Sequence, residues 1–352
     1  MRSTKMQSQQ FQKSFLSALA ILCRTPMSLI FLSLTVLVSC IKSDIGCGSE
    51  SGNWRTLQSN NQNANDSTPY LQTKGALLLS SFESFEELKT VIKIEYNDDI
   101  PMVRVSHESD DINVCSTLEP GVDEGDFRKA RDGGLIEKVS LAFRSPYAAF
   151  NRDHLVRVFI LARRKPNIFG ESDVAFFNIA EATVCNMDAI NYGASSNRDL
   201  SEKGYINTIN HITAQAIITT CFSEEMADYI ADVHERFYHP ELIRGEFTLT
   251  QINDLEEGPL DNYIDMINNE WGQELGKSLK AKYNISSSTI WTPQLLAAYL
   301  NGTQEYYSYA FNVDFRPFSE NDSLVVNYAK KMVRVMGDVS ELEGQIGSKN
   351  NK

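Results

Sequence analysis

The sequence predicts a mainly α protein, a helical C-terminal domain preceded by a small α+β region. Three observations carry this expectation. From about residue 151 the apolar residues recur at helical spacing, punctuated by capping residues, Gly and Pro. Between 74 and 150 the apolar runs are shorter, and one alternates apolar and polar residues like a strand. The composition, 42% hydrophobic and 22% charged, belongs to a folded chain rather than a disordered one. With 352 residues there is enough chain for one or two domains with a full core.

Residues 1–39 read as a signal peptide. Arg2, Lys5 and Lys13 precede two apolar runs, SFLSALAILC and MSLIFLSLTVLVS, separated by Arg24-Thr25-Pro26. Neither run reaches the ~18–20 residues of a membrane-spanning helix. The second ends in LVSC, an aliphatic residue and then a small one directly before Cys40. This resembles a bacterial lipoprotein signal. The resemblance implies a diacylglycerol and palmitate anchor on Cys40, holding the mature chain to a membrane of the cell envelope or to the cell surface. A plain secretory signal or a short uncleaved anchor is the other reading. Residues 40–73 are rich in Ser, Asn, Gln and Gly and are expected to form a flexible tether. The net charge is -13, and Lys and Arg are spread without a basic stripe, which disfavours a nucleic-acid partner. Four cysteines beyond Cys40 (Cys47, Cys115, Cys185 and Cys221) leave disulfide pairing open in an exported chain. Cys185 and Cys221 fall in expected helices and read as buried free thiols.

In the 74–150 region, ALLLSS and TVIKIEY suit strands or short helices, and PMVRVSH suits a strand. LEPGVDEGD and RDGG read as turns, and EKVSLAFR as a further strand. His107-Glu108 stands beside Ser-Asp-Asp and is expected in a solvated loop.

The 151–340 region reads as successive helices. RDHLVRVFILARRK should end near Pro166, although its β-branched centre leaves a strand possible. Ser172 is placed to cap DVAFFNIAEATVCNMDAINYG, which Gly193 would end. YINTINHITAQAIITTCF follows a polar loop. Ser223 should cap EEMADYIADVHERFY, with Glu224 and Glu225 at the positive end of the helix dipole and Pro240 past its end. Pro259 suits the first turn of the helix containing DNYIDMINNEWGQELG. TPQLLAAYL and SLVVNYAKKMVRVM complete the set, and residues 341–352 form a loose tail.

Three of these helices carry polar groups on faces otherwise suited to packing. His234 lies within an apolar arc with Glu235 at its border. Asn207 and His211 are four residues apart on one face, flanked by Asn210. Asp261, Asp265, Asn268, Gly272 and Gly276 form one stripe, with Asn269 about 100° away and directed to a different helix. Two glycines in a helix, each ~1 kcal/mol worse than alanine, imply a closely approaching backbone or ligand. A candidate site between 205 and 276 therefore joins His211, His234, Glu235 and Asp265 as catalytic groups with Asn207, Asn210, Asn268 and Asn269 as substrate-binding groups. Imidazoles beside carboxylates suit proton transfer near neutral pH, with or without a metal. No spacing specifies a metal or cofactor. The other reading is a buried hydrogen-bond network in a surface protein that binds a protein or glycan. Gly-x-Ser-x-Gly, P-loop, dinucleotide-binding and His-Glu-x-x-His motifs do not occur.

The ordered set Asn207-x-x-x-His211, Asp232-x-His234-Glu235 and Asp265-x-x-Asn268-Asn269-x-x-Gly272 resembles an uncharacterised bacterial domain family. The likeness covers about residues 200 to 280. It departs at Asn207, where the family has Asp, and at Gln215, near an expected aromatic. The resemblance implies an exported protein, a lipoprotein or a toxin-like module, and it supplies a site without an assigned reaction. The chemistry expected from the residue types is hydrolysis of an envelope-accessible ester, phosphodiester or glycan.

Overall fold

The computed structural model describes residues 53–57, 74–188 and 204–337. The signal segment, Cys40, Cys47, Gly193 and the C-terminal tail lie outside the described residues.

The chain is mainly α, with one small antiparallel sheet. The sheet runs in the order β1 (Trp54–Thr56), β2 (Lys93–Asn97), β3 (Val103–Ser109) and β4 (Ile112–Leu118). β1 corrects one expectation, because it falls inside the stretch read as a tether. Its backbone pairs with the edge of β2, and the Trp54 ring lies 4.2 Å from the Arg104 guanidinium. β3 and β4 are joined by the two-residue turn Asp110-Asp111, with φ of 47° and 64°. Asp is among the few residues that tolerate this left-handed region, and a two-residue turn of this hand matches the strand twist. The loop is therefore shorter than the sequence suggested, and His107 stands on β3 rather than in solvent. It is 5% exposed and accepts a hydrogen bond at Nδ1 from Trp271 Nε1 (3.0 Å).

The helices follow as α1 (Phe85–Leu88), α2 (Glu124–Asp132), α3 (Leu135–Arg144), α4 (Pro146–Phe150), α5 (Arg152–Ala162), α6 (Pro166–Phe169) and α7 (Phe176–Cys185). Then come α8 (Tyr205–Cys221), α9 (Glu224–Tyr238), α10 (Leu249–Asn253), α11 (Pro259–Lys282), α12 (Pro293–Phe311) and α13 (Ser323–Met336). Local chemistry explains most starts. Ser223 Oγ accepts from Met226 N and Thr292 Oγ1 from Leu295 N, while Pro259 and Pro293 occupy first turns.

Four further expectations change. EKVSLAFR is helical, within α3, and its apolar Ile136 and Phe143 remain exposed. LEPGVDEGD is a turn only as far as Val122, because Asp123 and Asp126 form a reciprocal capping box that starts α2. α7 begins at Phe176 rather than behind Ser172, with Asn178 Oδ1 accepting from the Ala175 N–H. Cys185, at the end of α7, is exposed rather than buried, and neither it nor Cys221 is bridged.

Two apolar clusters share α11. The sheet, α1 and one face of α11 (Leu260, Tyr263, Ile264, Ile267, Trp271) make the first. The second takes Leu275 and Leu279 together with α2, α5, α7, α8, α9, α12 and α13. α8 and α11 lie unusually close. A Cβ at Gly272 would sit 2.7 Å from the Ile212 carbonyl oxygen, and one at Gly276 would sit 2.7 Å from that of Ala216. The glycine stripe thus meets another backbone, which was one of the two possibilities.

Two predictions follow from this packing. Gly272→Ala and Gly276→Ala must each push the helices apart and should lower unfolding free energy by about 1–3 kcal/mol in urea titrations. The second concerns His107, whose pKa is pushed by burial from 6.5 down to about 4. Above pH 6.5 the ring is neutral whether the chain is folded or not. Below that, the unfolded chain takes up a proton that the folded one refuses. Stability should therefore fall by roughly 3 kcal/mol as pH drops through this window, and His107→Gln should flatten that part of the curve.

Candidate functional site

The close approach of α8 and α11 sets polar residues of the two helices against each other. Asn207 Nδ2 donates to Asp265 Oδ1 (3.0 Å), and Asp265 Oδ2 lies 3.3 Å from His211 Nε2. His211 Nδ1 lies 3.0 Å from Asn269 Oδ1. The imidazole is thus held at both ring nitrogens. Asp265 and Asn269 are four residues apart and so share a face toward α8. The helical spacing predicts Asn268 at this position and Asn269 directed to a different helix. Instead Asn268 turns to the loop before α1, where its Oδ1 accepts from Leu77 N and its Nδ2 donates to Leu77 O, both at 2.8 Å. Thr208 Oγ1 donates to the same carbonyl (3.1 Å). Asn268 is fully buried and serves as a backbone clamp.

On α9, His234 Nδ1 lies 3.0 Å from Oε1 of Glu124, a fully buried residue in the first turn of α2. Glu124 Oε2 accepts from Arg128 Nη2 (2.9 Å), which also donates to Tyr238 OH (3.1 Å). Burial holds the His234 ring below its ordinary pKa, and the hydrogen bond to Glu124 opposes this only in part. Next to it, Glu235 is 4% exposed. Burial, reinforced by the carboxylates of Asp265, Asp261 and Asp232, raises its pKa well above the usual carboxylate value. Asp232 itself is paired with Arg236 (2.6 Å).

His211, His234, Glu235, Asn210 and Asn269 line one cleft of about 120 Å³, together with Glu124, Arg163 and Gln215. Asn207, Asp265 and Asn268 stand outside its lining, the first two directly behind His211. Five buried polar atoms of the cleft have no hydrogen-bond partner among the described residues: Arg163 Nε and Nη2, Asn210 Oδ1, Gln215 Oε1 and Glu235 Oε2. Leaving such an atom unsatisfied costs about 1–3 kcal/mol. Other unpartnered atoms occur in the fold, but their convergence on one cleft is what a ligand site requires.

Glu124 and Arg163 were not singled out from sequence. The Asp123-x-x-Asp126 capping pair was the legible sign that Glu124 begins a helix. Arg163 directly follows α5, and nothing local distinguishes it from Arg164. Among the described residues no group of three or more His, Cys, Asp or Glu side chains is placed to hold a metal ion, so a metal-ligating role for His211 and His234 finds no ligand set there. A wider groove of about 590 Å³ lies beside Phe169, Trp291 and Lys331. Its buried Lys331 is already satisfied by Asp173 (3.0 Å) and by the carbonyls of Arg163 and Val174.

No family model, curated protein or solved structure matches the chain. No helix among the described residues is long and apolar enough to cross a membrane.

A group whose folded pKa is raised contributes stability below its ordinary value, 4.5 for Glu235, and that contribution is lost as pH rises through the folded value. Glu235→Gln, neutral at every pH, should therefore raise the melting temperature at neutral pH, by roughly 2–4 °C for each kcal/mol relieved. The gain should shrink as pH falls toward 4.5. Scanning calorimetry across this range reads the effect.

Proposed function

We propose that this chain is an exported protein of the bacterial cell envelope, lipid-anchored at Cys40, whose helical domain carries out hydrolysis in the cleft lined by α8 and α9. The observation that carries this reading is the pair His234-Glu235. Two adjacent residues line the same cleft, an imidazole held below its ordinary pKa and a carboxyl held well above its own. Environments that drive two titratable groups apart in this way mark a base and an acid.

Glu124 holds His234 through Nδ1, as a buried carboxylate orients the imidazole in hydrolytic triads, and Nε2 is assigned the role of base. The lowered pKa favours the neutral ring, the form that can take a proton from water. Glu235 gives its proton to the leaving group. Among the described residues no Ser, Thr or Cys side chain lines the cleft, and direct attack by water is proposed over an enzyme nucleophile. His211 and Asp265 are positioning residues, since their mutual contacts fix the α8–α11 wall. Asn210 is a substrate contact through its unpartnered Oδ1. The lipid anchor is supported by the Leu37–Cys40 motif and the polar stretch after it.

One observation favours a second reading, a non-enzymatic surface lipoprotein that binds a protein or glycan. The series Asn207–Asp265–His211–Asn269 ties four polar side chains of α8 and α11 to one another, as a structural network would.

Turnover by the purified chain should be measured on chromogenic esters, phosphodiesters and glycosides. At least one class should be hydrolysed, and His234→Asn and Glu235→Gln should each reduce the rate about 10²–10⁴-fold while retaining the wild-type circular dichroism. No turnover with any class, or rates unchanged in both variants, would leave the binding reading in its place.

A further inference from the structure

We infer that the cleft recognises a small oxyanion, carboxylate or phosphate, on the Nε/Nη2 edge of Arg163, and that a hydroxyl of the same ligand donates to Gln215 or Asn210. The inference rests on the cleft being the reaction site proposed above and names the substrate class it takes.

Arg163 is anchored on both sides. Its carbonyl accepts from the buried ammonium of Lys331 (2.5 Å), and its guanidinium lies 5.4 Å from the Phe159 ring centroid. The side chain reaches the cleft and is 8% exposed. Nε and Nη2, the two atoms without a partner, point to the same side of the guanidinium. This edge matches the two oxygens of a carboxylate or phosphate. The protein itself uses it elsewhere: Arg131 donates through Nε and Nη2 to Oδ1 and Oδ2 of Asp132 (2.6 and 2.7 Å). At Arg163 no carboxylate among the described residues takes that place. Glu124 is the nearest in charge, and its oxygens are engaged by His234 and Arg128. Burial and the neighbouring carboxylates raise the Glu235 pKa well above the usual carboxylate value, which disfavours its charged form. A buried guanidinium without a counter-charge is costly, and a ligand oxyanion removes the cost.

The remaining unpartnered atoms set the rest of the ligand. Gln215 Oε1 and Asn210 Oδ1, both on α8, are acceptors that need a donor. Acetate has none, whereas hydrogen phosphate, a hydroxy acid or a sugar phosphate brings one. The volume, about 120 Å³, admits a small organic acid or one such end of a larger substrate.

Isothermal titration of the purified full chain with inorganic phosphate, acetate and glycolate, at constant ionic strength set with sodium chloride, tests this. Saturable binding is expected for glycolate or phosphate, with glycolate tighter than acetate; which of the two saturates identifies the oxyanion. Arg163→Lys, which keeps the charge and loses the fork, and Arg163→Gln should each weaken binding about tenfold or more. Gln215→Leu should remove the preference for glycolate over acetate, and this ratio decides the matter if an Arg163 variant fails to fold. Absence of saturable binding by all three probes, or undiminished binding in the Arg163 variants, overturns the proposal. Binding that depends on Arg163 in a chain with no hydrolytic turnover supports the oxyanion site and defeats only the hydrolytic reading.

Discussion

The contact on which the rest depends is the backbone-to-backbone approach of α8 and α11 at Gly272 and Gly276. Any side chain there would meet the carbonyls of Ile212 and Ala216. This closeness brings the short side chains of Asn207 and Asn269 within reach of Asp265 and His211. It also frees the other faces of α11. One carries Tyr263, Ile267 and Trp271 into the sheet, and Asn268 holds the Leu77 backbone. A single 24-residue helix therefore serves the sheet, the helical core and the cleft wall at once.

The cleft is surrounded by buried carboxylates, and their individual fates define its chemistry. Asp232 has Arg236, Glu124 has Arg128 and His234, and Asp265 has Asn207 and His211. Glu235 stands among these charges with Oε2 unpartnered, and burial together with those carboxylates raises its pKa well above the usual value. Arg163 is its cationic counterpart, buried without a carboxylate on its open edge. Both residues make the folded state less stable than it would be with apolar side chains in their places. Such sacrifices of stability are characteristic of sites shaped for a ligand.

Much of the helical half was legible because its signals are local. Ser223, Pro240, Pro259 and the Ser323–Met336 run mark their elements through caps, breakers and periodicity. The facing of His211 toward the α11 stripe was readable from four-residue spacing and from the two glycines. What was not legible depends on distance in space. Glu124 stands 110 positions before His234, and only the fold shows that they touch. EKVSLAFR is β-branched at only one position and was short enough to suit either state, so its α3 helix was misread. His107 was misread because an acidic Asp110-Asp111 turn looks like a solvated loop, although the strand before it is buried. The exchange of roles between Asn268 and Asn269 turns on which edge of α11 the neighbouring helix covers.

The protonation state of Glu235 at neutral pH tests the account most directly, because the site is read as a protonated acid beside a neutral base. Infrared difference spectra between the wild-type chain and Glu235→Gln, with glutamate side chains labelled by ¹³C, resolve it. The account predicts the isotope-shifted C=O band of a protonated carboxyl in the wild type and its loss in the variant. A carboxylate band from Glu235 at neutral pH would contradict it.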